Sequence, residues 1–142
     1  MEYLTQLERI IESGHRLITV ESDEVDRVCD LLLELSRLST KPYYIAQPEQ
    51  AMYRMGVSHI GIPRTQTANG LIEHIEASKH FGIFILSRYT AIFESDERVK
   101  KLIHIATADT HKIIIMVAEN IILPRKLAPF AVRSKHKMKN TG

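Results

Sequence analysis

The chain has 142 residues, 44% of them hydrophobic and 25% charged. This is the length and balance of one globular domain with a sizeable core, and it excludes a disordered polypeptide. The net charge of +2 conceals an asymmetry: residues 125–142 hold six Lys/Arg and no acid, while residues 1–124 hold thirteen Lys/Arg against seventeen Asp/Glu.

No apolar run approaches the ~18 residues a bilayer requires. The opening Met-Glu-Tyr-Leu-Thr-Gln lacks the basic and apolar segments of a secretory leader. One cysteine, Cys29, excludes an internal disulfide and fits a reducing compartment, so a cytoplasmic location is expected. Cys29 itself reads as core filling rather than as a reactive thiol.

Leu4, Leu7, Ile10 and Ile11 share one helical face over residues 2–13, and Gly14 follows as a stop. Residues 16–20 (Arg-Leu-Ile-Thr-Val) form a strand. A helix opens near Asp23, with Ser22 as its cap and Val25, Val28, Cys29, Leu32 and Leu35 as its inner stripe, widened by Leu31, Leu33 and Leu38. Between strand and helix, a nucleotide-binding α/β protein carries a glycine-rich loop ending in Lys-Ser/Thr. Here the junction reads Glu21-Ser22-Asp23-Glu24-Val25-Asp26. Its four carboxylates occupy the positive field of the helix N-terminus and repel a triphosphate.

Residues 42–46 read as a strand whose Pro42 hints at a sheet edge. Pro48 to Met55 is expected to form a short helix, and Gly56 to Pro63 an irregular or hairpin-like excursion. Thr67 or Asn69 opens a helix to about Ser78. Residues 81–86 and 113–117 are continuous apolar runs, as in strands covered on both faces. Between them Ser95 caps a helix with Val99, Leu102, Ile103 and Ala106 facing inward. Pro124 to Leu127 reads as a helical turn and Ala131 to Lys137 as a last strand. Strands alternating with helices predict an α/β domain over residues 1–132: a mostly parallel five-stranded sheet with helices on both faces, a three-layer sandwich. A basic edge strand or tail at 133–142 completes it. The initiating Met and the uninterrupted core favour a self-contained unit.

Three segments carry a family resemblance. They are Ile10 to Ser22; Gly82-Ile83-Phe84-Ile85-Leu86-Ser87-Arg88-Tyr89 with the helix from Ser95 to Leu102; and Lys112 to Val117 followed by Leu123-Pro124-Arg125-Lys126-Leu127. In this order they resemble a AAA+ ATPase core of the phosphate-loop NTPase fold. More narrowly, they resemble the degenerate N-terminal half of certain bacterial and plastid AAA ATPases, which lacks the Walker A and B motifs. The resemblance implies a vestigial nucleotide cleft at Glu21, Ser22, Asp23, Ser87, Arg88 and Asn120. Ser87-Arg88 stands where the Walker B motif would end in Asp-Glu, and a hydroxyl with a cation neither holds Mg²⁺ nor activates water. Asn120 falls near the family's γ-phosphate sensor and reads here as a turn or cap residue. ATP hydrolysis and a cofactor are not expected. An ion pair from Arg88 to Glu21 or Asp23 would seal the cleft.

Seven histidines raise the question of a metal, but His74/His80 and His104/His111 are not spaced as a helical ligand pair, and none is expected. No Gly-x-Ser-x-Gly elbow accompanies Ser87, which argues against a hydrolase. Arg133, Lys135, Lys137 and Lys139 form a candidate partner-binding strip, or else an edge strand that lysines protect from pairing. The expected role is a non-catalytic interaction or oligomerisation module with a protein partner or another copy of itself. The alternatives are a nucleic-acid-binding regulator using the basic tail, for which stacking aromatics are lacking, and a small-ligand sensor at the strand ends.

Overall fold

A computed structural model describes residues 2–58, 60–108 and 112–136. Helix α1 (Glu2–Glu12) leads to β1 (Leu17–Ser22), α2 (Val25–Leu38), β2 (Tyr43–Ala46) and a two-residue β3 (Tyr53–Arg54). Then come α3 (Ala68–Ala77), β4 (Gly82–Ser87), α4 (Asp96–Thr107), β5 (Lys112–Ala118) and β6 (Val132–His136), with short 3-10 turns at Thr90–Glu94 and Ala128–Phe130. The sheet order is β3-β2-β4-β5-β1-β6. All pairings are parallel except β2 with β3. The expected α/β sandwich is therefore present, with β3 as a sixth, antiparallel strand. It pairs with β2 only at Tyr44 and Ile45, so Pro42 does mark a strand close to the sheet edge.

The continuous apolar runs resolve into alternating faces because successive strand side chains point to opposite sides. Ile83, Ile85, Ile113, Ile115 and Val117 meet Leu7 and Ile11 of α1 and Val25, Val28, Leu32 and Leu35 of α2. Phe84, Leu86, Ile114 and Met116 meet Leu71, Ile72 and Ile75 of α3 and Val99, Leu102 and Ile105 of α4. Burying each such side chain stabilises the fold by about 1.5–3 kcal/mol. Ile105 completes the fully buried stripe of α4, the expected Ile103 and Ala106 pack half-buried against it, and Leu38 is exposed at the end of α2.

Local chemistry sets the ends of these elements. Gly14 takes φ +90 just after α1, a conformation without steric cost only for glycine. Thr67 caps α3 by accepting from the Gly70 N–H at 3.0 Å, and Ser95 caps α4 by accepting from the Arg98 N–H at 3.3 Å. A Cβ on Gly70 would lie 2.1 Å from the Arg64 carbonyl oxygen, so the loop into α3 packs against a bare backbone. Lys112 is buried at the start of β5, and its ammonium donates to the Glu76 carbonyl in the last turn of α3 at 2.8 Å. That carbonyl lies at the negative end of the helix dipole. Burial nonetheless pulls the Lys112 pKa down.

The stretch from Pro48 to Met55 is not a helix. It turns, enters β3, and is pinned by the buried Thr65: the Met52 N–H donates to Thr65 Oγ1 at 2.8 Å, and that hydroxyl donates to the Ile62 carbonyl at 2.7 Å. Ile62 N–H returns a bond to the Met52 carbonyl at 2.7 Å, and Tyr53 bridges Gly61 in antiparallel fashion. The excursion is hairpin-like, as the turn residues suggested.

Candidate functional site

The carboxyl ends of β1, β4, β5 and β6 converge on one edge, where open parallel sheets hold ligands. The register aligns Val20, Ser87, Val117 and Ser134 at one level, with Glu21, Ala118 and Lys135 at the next and Arg88 leaving β4 beside them. Glu21 and Ser22 of β1 and Ser87 and Arg88 at the end of β4 thus share this edge on either side of β5, and Asp23 and Asn120 lie in the loops that leave β1 and β5.

Only two residues separate β1 from α2. Ser22 does not cap the helix: Glu24 is the cap position, without a side-chain capping bond, and Ser22 Oγ accepts from the Glu24 N–H at 2.9 Å. The hydroxyl therefore closes a local turn. A phosphate loop needs several glycine-rich residues between strand and helix, and here there is no length for one. Glu24 moreover carries a buried carboxylate oxygen with no hydrogen bond among the described residues.

The expected pairing of Arg88 is corrected. Its guanidinium reaches Asp26 at 3.1 Å and Glu119 at 3.3 Å, not Glu21 or Asp23. The reason is backbone geometry: Arg88 takes φ 54, its N–H donates to the Val117 carbonyl at 2.8 Å, and its side chain is directed between the first turn of α2 and the loop after β5. Both carboxylates hold the guanidinium in its charged form. A non-glycine residue in the left-handed region is strained, and the two ion pairs act against that strain. All three side chains are substantially exposed, so the pairs contribute only about 0–1 kcal/mol each. They bridge the edge without supplying the fold's stability.

Glu21 turns the other way. One carboxylate oxygen accepts from the Ile121 N–H at 2.9 Å and the other lies 3.7 Å from the Lys135 ammonium. These contacts, the Ile121 bond foremost, hold its pKa below the usual carboxylate range. Arg133 donates to the Ile121 carbonyl at 3.3 Å. Two of the four basic residues of the candidate partner strip thus stitch β6 and the β5–β6 connection to β1. Lys137 and Lys139 lie outside the described residues, and Asn120 is exposed in the loop.

Ser87 is buried and hydrogen-bonds with Cys29, which is half-buried and packs against the core. Burial pushes the Cys29 thiol up more than that bond pulls it down, so the nucleophilic thiolate is suppressed. Among the described residues, no three His, Cys, Asp or Glu side chains gather as metal ligands, and no helix is long and apolar enough to cross a membrane. Beside this edge, between α2 and β2–β3, lies an open groove of about 400 Å³ bordered by Asp26, Asp30, Leu33, Ile45, Tyr53 and Met55. Neither Asp26 and Glu119 as partners of Arg88 nor this groove was singled out in the sequence.

The five parallel strands run in the order β2-β4-β5-β1-β6, with an acidic two-residue turn at the phosphate-loop position. The chain matches the N-terminal domain of SpoVK-like AAA ATPases over residues 3–135. It belongs to that family. A search of curated proteins gives no match. In this SpoVK-like N-terminal domain the AAA-like sheet is retained while the Walker A loop and the Walker B carboxylates are replaced, which makes it a degenerate phosphate-loop fold.

Proposed function

We propose that this domain is a non-catalytic AAA-like module whose work is protein association, with further copies of itself or with an active ATPase. The observation that carries this reading is the junction from Glu21 to Asp26. It offers carboxylates and a closed turn where a nucleotide would need backbone N–H groups and a lysine, while the surrounding core is intact. Ser87 and Arg88 support it, being engaged with Cys29 and with Asp26 and Glu119 instead of presenting Mg²⁺ ligands. The acidic body and basic carboxyl-terminal segment favour head-to-tail contact between copies.

Sedimentation velocity of the full chain at tens of micromolar tests the self-association branch. Species larger than a monomer at low ionic strength, shrinking as salt rises, are the expected result. A monomer at low salt would remove that branch.

A further inference from the structure

We propose that the groove between α2 and the β2–β3 hairpin is the acceptor for a second copy of this chain, entered by the corner that joins β5 to β6. This rests on the association reading above and names the two surfaces involved. The acceptor has an apolar floor from Leu33, Ile45, Tyr53 and Met55 and an acidic rim from Asp26 and Asp30. Asp26 already meets Arg88, which leaves the exposed Asp30 to face an incoming charge.

The corner has the opposite character. Ile122 is 86% exposed and Phe130 40%, the two most exposed large apolar side chains of the β5–β6 connection. Arg125 and Lys126 are exposed between them. An apolar tip flanked by cations matches an apolar floor rimmed by carboxylates in both charge and chemistry. The buried neighbours Ile121 and Leu127, together with the Glu21 bond to Ile121, hold this corner on the sheet, so it is presented in a fixed shape.

One molecule cannot satisfy itself. The groove lies in the layer of α2 on one face of the sheet, whereas Ile121 and Leu127 anchor the corner in the layer of α3 and α4 on the other. The contact is therefore intermolecular and heterologous, and a pair keeps one free groove on one molecule and one free corner on the other.

The experiment uses the full chain with Asp30→Lys, Ile122→Asp and Lys126→Glu, all at exposed positions, with thermal melts to confirm folding. Asp30→Lys and Ile122→Asp are each expected to weaken self-association by on the order of tenfold. Asp30→Lys retains a good corner and Lys126→Glu a good groove. Each alone is expected to stay largely monomeric, whereas an equimolar mixture regains association, because the native corner of the first fits the native groove of the second and the reversed charges at positions 30 and 126 of the remaining surfaces are again opposite. Wild-type association that none of the three substitutions changes would overturn this interface while leaving the association reading intact. A wild-type monomer at tens of micromolar would overturn this interface and the self-association branch together.

Discussion

Thr65 and Arg88 show how single side chains determine the parts of this fold that periodicity does not describe. Thr65 is buried and joins Met52 to Ile62 through one hydroxyl. Thr65→Val keeps the shape and strands the Met52 N–H, so a loss of about 1–3 kcal/mol is expected in urea unfolding. Arg88 combines a left-handed backbone with two exposed ion pairs. Arg88→Gly relieves the backbone while removing the pairs, and a net change below about 1 kcal/mol is expected. Arg88→Val removes the pairs and adds β-branched crowding, so it should cost about 1–2 kcal/mol more than the glycine variant. Equal stability of the two variants would show that the backbone at 88 shifts on substitution. The junction at Glu21–Asp26 was legible because its chemistry is local: carboxylates at a helix start exclude phosphate whatever the distant structure does. The partners of Arg88 were not, because which of several nearby acids it meets depends on a backbone angle that composition does not reveal.

At the scale of elements, β6 illustrates how a strand full of charge is held. Arg-Ser-Lys at 133–135 has no apolar periodicity, yet β6 pairs in parallel with β1 over Ile18–Ser22 and is fastened by Lys135 to Glu21 and by Arg133 to the Ile121 carbonyl. Glu21 binds fewer protons in the folded than in the unfolded state, since its folded pKa is lowered. Its contribution is therefore present above the ordinary glutamate range, about pH 4.3, and is lost as pH falls through the lower folded value. Glu21→Gln is expected to flatten the acid limb of a stability-versus-pH curve between that range and more acidic values. An unchanged acid limb would show that Glu21 does not fasten this edge. The helices, β4 and β5 were readable because their apolar residues recur with the right period or form continuous runs. The segment 47–66 was misread at Pro48–Met55 because it holds a two-residue strand and long-range hydrogen bonds, neither of which leaves a periodic pattern.

Over the whole molecule, the separation of architecture from chemistry is the main result. The sandwich depends on two apolar layers on either side of five parallel strands, and none of those residues is needed for nucleotide chemistry. The residues that would do that chemistry sit at strand ends and in turns, where substitution leaves the core untouched. A degenerate member of an ATPase family can thus keep its shape after its phosphate site has gone.

Calorimetric titration of ATP into the full chain, with and without Mg²⁺, tests the central claim most directly. No heat of binding and no rise in Tm at millimolar ATP are the results expected of a sheet edge closed by Glu21, Glu24 and the Arg88 bridge. Micromolar binding, strengthened by Mg²⁺, would contradict the account and require a phosphate site elsewhere than the turn between β1 and α2.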